Sequence, residues 1–350
     1  MKKQIIPILI CILTFTKLAY AQDDVKELQK LPREEWLKIE TLPKKWQSAD
    51  WDFKKVMLEK FYAPTLEEKE LIETVAPKIE KKLSKAKINA LVIYKTGGYT
   101  HTSILHGNYA LNQMAEASNG RFKVTFSDNF DDLKLENISK YDVIIHNNTT
   151  RIDDVLIDYA KDLNQYIENG GGAVFIHAGS DCFKRNIAKG EKSPAGALFQ
   201  AHPWTAGGIW AFQLESPEHR LNRAFGSRGF MCQDEVYMYK EGSFSKDESR
   251  VLVSLDMSHK ANKTEKVISI AEKHERGDIF EKGNPVSWVI SKGKGRVFNT
   301  NFGHRKETFW HKNIMKHLLD GIYFASGNLD ADTRPSNTLT NVKIAKVSDQ

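Results

Sequence analysis

The chain has 350 residues, 41% of them hydrophobic and 27% charged, which is enough apolar material for one large domain with a generous core and an appendage. Its formal net charge of +6 falls to 6 − 3 = +3 once Lys2, Lys3 and Lys17 leave with an expected leader, too mild a charge for a nucleic-acid partner. Only 3 cysteines are present, and Cys11 belongs to the same leader, so a disulfide scaffold or a cysteine-rich zinc site is excluded and Cys182 and Cys232 remain as one candidate pair.

Residues 1–21 read as an export signal. Lys2 and Lys3 precede an apolar run from Ile5 to Phe15, and Ala19-Tyr20-Ala21 supplies the small-x-small cleavage pattern, so the mature chain is expected to start at Gln22. The run falls short of the ~20 residues that a membrane span needs, which predicts no stable anchor. Residues 22–87 form a Lys- and Glu-rich extension. Leu66, Leu71, Ile72, Val75 and Ile79 stand at helical spacing, and Trp36, Trp46, Trp51, Phe53 and Tyr62 argue for helices packed on the main domain.

From Ile88 the pattern changes to β-loop-α units. Strands are predicted at 88–94, 122–126, 143–145 and 173–176, with a helix from about Asp153 to Glu168 closed by Asn169 and Gly170 to Gly172. Continuous apolar strands alternating with helices predict a parallel sheet covered on both faces, whose ligands bind where the strands' carboxyl ends meet their loops. That rule gathers "GGYTHTS", "HNNTT" and "HAGSD" on one rim. Beyond Gly190 the pattern is β-rich, with strands expected at 210–214, 235–239, 250–255, 287–290 and 296–299, and a last helix at about 310–323. Asp256 to Lys282, with His259 and His274, reads as an exposed charged insertion. Gly293 and Gly295 mark a hairpin turn, since no phosphate-loop pattern is present.

The segments "VIYKTGGYTHTS", "YDVIIHNNTT", "NGGGAVFIHAGSD", "FQAHPW", "DEVYMY" and "GKGRVFNTNFGH" together resemble the ThuA-like family, associated by name with trehalose utilisation, over Ile88 to Ser326. The resemblance implies an α/β fold: a flavodoxin-like, class I glutamine amidotransferase-like parallel sheet sandwich. A β-rich insertion, the helical N-terminal extension and a tail at 327–350 complete the expected organisation. Related amidotransferases carry a cysteine in the turn after the central strand. Here that turn reads Ile176-His177-Ala178-Gly179 and Cys182 lies beyond it, which disfavours cysteine-dependent glutamine hydrolysis. The resemblance also implies a role in carbohydrate breakdown, with a small carbohydrate or keto-sugar as partner.

The rim residues supply the candidate chemistry. His101 sits in a glycine-flanked loop, and Ser103 is placed to cap the following helix. His177 and Asp181 are four residues apart, a spacing at which a carboxylate orients an imidazole if the turn enters a helix. His304 follows a strand. Asp234 and Glu235 are expected to point to opposite sides, with Glu235 as acid or base or paired with Arg296 or Arg305. The catalytic set is therefore His177, Asp181, His101, Glu235 and His304. The substrate-binding set is Tyr99, Asn147, Asn148, Thr149, His202, Trp204 and Asp234, with Phe199 and Trp204 as a sugar-stacking wall. Imidazole and carboxylate also suit a divalent metal, and His101, His177, His202, His304, Asp181 and Glu235 form the candidate ligand pool. Three readings stay open: acid-base hydrolysis or elimination on a glycoside or keto-sugar, whose carbonyl acidifies the adjacent C–H; noncatalytic sugar recognition through Trp204 and Trp210; and metal-dependent hydrolysis.

Overall fold

The computed structural model describes residues 47–78 and 87–347. The expected leader with Cys11, and Trp36, Trp46 and Ile79 of the expected extension, lie outside the described residues. The described residues divide into two compact units, the boundary falling between Ala63 and Pro64. In the first, helix α1 (Trp51–Phe61) is capped by Asp50, whose carboxylate accepts the Phe53 N–H at 2.9 Å.

The second unit opens with α2 (Leu66–Val75), whose first turn is closed by a reciprocal capping box between Thr65 and Glu68. Glu68 also meets His106 of α3 (Ile104–Glu116) at 3.1 Å and pairs with Lys306, so this part of the expected extension is bonded to the main domain. The remaining elements follow as β1 (Ile88–Ile93), α3, β2 (Phe122–Ser127), α4 (Leu135–Ile138), β3 (Val143–Asn147), α5 (Tyr159–Glu168), β4 (Gly172–Ile176) and α6 (Lys184–Ala188). The second half contributes β5 (Phe199–Trp204), β6 (Ile209–Leu214), β7 (Phe230–Gln233), β8 (Val236–Tyr239), β9 (Arg250–Leu255), α7 (Glu265–Lys273), α8 (Ile279–Lys282), β10 (Pro285–Lys292), β11 (Gly295–Thr300) and α9 (Lys312–Ala325).

Nine strands form one sheet in the order β2-β1-β3-β4-β11-β10-β9-β6-β7, and β5 pairs with β8 in a separate ribbon. From β2 to β11 every pairing is parallel; from β11 onward every pairing is antiparallel. The parallel half explains the unbroken apolar runs. Ala90, Val92, Ile145, Val174 and Ile176 feed one core, while Leu91, Ile93, Ile144, Ala173 and Phe175 feed the other, as alternate side chains on a doubly covered strand must.

Three sequence expectations change. Strands β5 and β7 are not among the expected strands, because β5 contains Pro203 and pairs only in the ribbon, while β7 is a half-exposed edge; proline and mixed burial are tolerated where one side of a strand needs no partner. The charged stretch Asp256 to Lys282 is no exposed insertion: it folds into α7 and α8, which bury Val267, Ala271 and Ile279 in the core. Cys182 and Cys232 are free thiols, Cys182 buried with its sulfur 3.1 Å from Thr149 Oγ1 and Cys232 on the edge strand β7. The hairpin at Gly293, which adopts φ +58°, joins β10 to β11 as expected. After α9 the chain returns to β6, where Ala345 bridges Leu214. Among the described residues no helix is long and apolar enough to cross a membrane.

Candidate functional site

Because β1, β4 and β11 belong to the parallel half, their carboxyl ends open onto the same edge. The loop after β1 carries His101, the turn after β4 begins with His177, and the turn after β11 carries His304. Glu235, immediately before β8, joins them from the second half. His101, His177, Glu235 and His304 each present one donor atom, all within 4.8 Å of one another.

His177 stands in a 3₁₀ turn (His177–Asp181) with φ +48°, a left-handed conformation unusual for a side chain other than Gly, Asn or Asp. Its Nδ1 lies 2.7 Å from the Asn301 carbonyl. A carbonyl only accepts, so Nδ1 carries the hydrogen and Nε2 presents its lone pair to the cluster. There Nε2 is 3.6 Å from Glu235 Oε1 and 3.3 Å from His304 Nδ1, and His304 Nδ1 is itself 3.3 Å from Glu235 Oε1. The His101 ring stands edge-on to both, with centroids at 4.9 Å from His177 and 5.1 Å from His304. The second Glu235 oxygen faces His202 Nδ1 at 3.5 Å.

Burial opposes ionisation of Glu235, but the imidazoles of His177 and His304 that face it outweigh burial and hold the carboxyl well below the usual range. Burial pushes the His304 imidazole down, yet the bond to Glu235 and its charge carry the net value up. His101, with burial and two neighbouring imidazoles against it, is pushed well below the usual histidine value. Among the described residues no Lys or Arg forms an ion pair with Glu235, so the charge this buried carboxylate demands has only imidazoles to meet it.

Asp234 builds the wall that carries His304. Its Oδ2 accepts the Gly303 N–H at 2.8 Å and the Thr308 hydroxyl at 3.0 Å, while Oδ1 accepts the Arg305 N–H at 3.0 Å. The Gly303 carbonyl in turn accepts from Ser103 Oγ at 2.7 Å and Asn148 Nδ2 at 3.1 Å. Around the mouth stand Tyr99, half exposed and edge-on to His101, and Phe199, which stacks on His202 at 6.0 Å and meets Tyr237 at 4.3 Å.

Of the expected catalytic residues, His101, His177, Glu235 and His304 converge and Asp181 does not. Asp181 pairs with Lys184 at 3.0 Å, and no hydrogen bond or ion pair joins it to His177 among the described residues. The turn is 3₁₀ rather than α, and at three residues per turn it is the residue at i+3 that lies over the first, not Asp181 at i+4. Of the expected substrate-binding residues, Tyr99 and His202 reach the mouth. Asn147 is consumed by the Ile104 carbonyl and Asn108, Thr149 by Cys182, and Asp234 by the His304 wall. Asn148 anchors Gly303. Trp204 is fully buried, its indole donating to the Asn262 carbonyl, and so forms no sugar-stacking wall. Ser103 makes no side-chain cap for α3, its hydroxyl being spent on Gly303. Asp234 and Glu235 are both buried, against different partners, rather than one in and one out. Glu235 pairs with neither arginine: Arg296 goes to Asp330 and Arg305 to Glu307. Asn301 and Gly303 escaped sequence reasoning because they act through backbone atoms; their only signal was the polar "NTNFGH" at a strand's end.

A family model described as "ThuA: Trehalose utilisation" matches residues 89–325. The chain belongs to the ThuA family. This ThuA protein is similar to a solved ThuA-like protein from Bacteroides uniformis at 19% identity and a TM-score of 0.51, covering 72% of this chain and 97% of that one, a likeness of fold. It is also similar to a ThuA-like protein from Parabacteroides merdae (15% identity, TM-score 0.47, 71% and 98% covered). A third solved structure, described as a GMP synthase protein from Thermoplasma acidophilum, gives 10% identity and a TM-score of 0.36, with 67% and 94% covered. No curated protein matches the chain.

Proposed function

We propose that this ThuA protein is an exported enzyme of carbohydrate utilisation that acts on a glycoside or keto-sugar, by hydrolysis or elimination, at the cluster of His101, His177, Glu235 and His304. The observation that carries the reading is the buried Glu235 carboxylate, met within 3.6 Å by the imidazoles of His177, His304 and, on its outer oxygen, His202 at the carboxyl edge of the sheet. A structural ion pair would use Lys or Arg; a carboxylate surrounded by imidazoles is an arrangement for handling protons or Lewis-acid charge at neutral pH. The family's description supports a disaccharide-derived substrate, and the aromatic faces of Tyr99 and Phe199 at the mouth suit a sugar ring. The leader-like residues 1–21 support export. Recognition without turnover is less well supported, since its expected platforms, Trp204 and Trp210, are buried in the core.

The experiment is chromatographic detection of products from trehalose, related disaccharides and their 3-keto derivatives, with wild type beside His177→Ala and Glu235→Gln. Turnover that both substitutions abolish supports the reading. Turnover surviving in either variant removes the cluster from the chemistry, and saturable sugar binding without products makes the protein a recognition module.

A further inference from the structure

We propose that His101, His177, Glu235 and His304 bind one divalent transition-metal cation, zinc by the chemistry of the donors. The inference goes beyond the carbohydrate reading, and cation binding is measurable without any sugar. Three imidazole nitrogens and one carboxylate oxygen form a donor set suited to zinc. Bonds of about 2.1 Å in tetrahedral geometry separate ligand atoms by about 3.4 Å. The three separations among His177 Nε2, His304 Nδ1 and Glu235 Oε1 are 3.3, 3.3 and 3.6 Å, so these atoms already outline one face of such a shell.

The surroundings are built as a metal site's are. Metal-binding imidazoles ordinarily donate their far N–H to a carbonyl or carboxylate, which fixes tautomer and ring orientation, and His177 does so to the Asn301 carbonyl. His304 is held by the carboxylate that grips the backbone before and after it. His101, 4% exposed, leaves a buried Nδ1 with no hydrogen-bond partner, a cost that an unassigned ligand relieves. Glu235, 8% exposed, has no Lys or Arg paired with it among the described residues. His202 stays outside the set, half exposed against the outer Glu235 oxygen, on the side from which water or substrate enters. A cation there supplies Lewis acidity toward a carbonyl and an acidified water.

The test uses untagged protein stripped with chelator and titrated with Zn²⁺ by calorimetry and with Co²⁺ by visible spectroscopy. Wild type is expected to take up one equivalent and to show the intense d–d bands of a low-coordinate Co²⁺ site. Glu235→Gln and His304→Asn are expected to weaken uptake by about 100-fold or more, and His274→Asn, outside the cluster, to leave it unchanged. Circular dichroism establishes that each variant is folded; if Glu235→Gln does not fold, His304→Asn at the edge of the cluster decides. No saturable uptake by wild type, a Co²⁺ spectrum of the fully hydrated ion, or equal affinity in wild type and the folded cluster variants overturns the proposal. Because no sugar is present, failure here leaves the carbohydrate reading standing.

Discussion

Asp234 fastens the backbone on both sides of His304: one carboxylate oxygen takes the Gly303 N–H and the other the Arg305 N–H. The imidazole's position is thus set by a neighbour that never touches it. Asp234→Asn retains the shape but turns one of the accepting oxygens into a donor facing a donor. We expect a loss of about 2–4 kcal/mol in denaturant unfolding, together with loss of catalysis although all four cluster residues remain. Unchanged stability would show that the loop is held by other means.

Gly303 leaves little room for a methyl group beside the cluster. A Cβ there would lie 2.9 Å from Ile176 Cγ2, and φ is +130°, a conformation L side chains rarely adopt. Its carbonyl also ties Ser103 and Asn148 to the turn. Gly303→Ala is expected to cost about 1–3 kcal/mol by thermal melting and to lower kcat more than it raises KM. A variant with full activity would contradict the close packing.

Trp204 and Tyr99 separate core from mouth. Trp204→Phe removes a buried indole N–H that donates to the Asn262 carbonyl, so stability should fall by about 1–3 kcal/mol with KM unaltered. Tyr99→Ala removes an exposed ring, leaving the melting temperature in place while KM for sugar rises. Reversal of the two effects would return Trp204 to the binding surface.

Asp181 gives the protein a titration of its own, away from the cluster. Burial raises its carboxyl to about 6, against the pull of Lys184 and Arg151 and with a further push from Asp153. The unfolded carboxyl ionises near 3.9, so below that pH both states hold the proton and no penalty exists. Between about 4 and 6 the unfolded state ionises first, and stability falls as pH rises; above 6 the penalty is constant. Asp181→Asn should therefore raise unfolding free energy at pH 7 by up to about 3 kcal/mol and change it little at pH 3.5. Equal effects at both pH values would refute the linkage.

The parallel half of the fold was legible because β1, β3 and β4 are buried on both faces and so are continuously apolar, and the helices between them carry ordinary stop signals. The cluster histidines were legible for a related reason: they follow the carboxyl ends of the strands, the edge where such sheets bind ligands, whereas His146, inside β3, is packed in the core against Phe175 and Tyr159. Asp181 misled because an i, i+4 spacing means proximity only in an α-helix, and this turn is tighter. The partners that orient the rings were invisible because the Asn301 carbonyl and the Gly303 and Arg305 amides exist in every residue. Asp234 was seen but misassigned, since strand alternation says which side a carboxylate leaves from and nothing about the loop it meets.

The four donors come from positions 101, 177, 235 and 304, spread over about 200 residues and drawn from both the parallel and the antiparallel regions of the chain. Bringing them together requires loop closures across that whole separation. The site is thus a record of completed folding. Its formation during refolding would report when the loops after β1, β4 and β11 and the segment before β8 have come together.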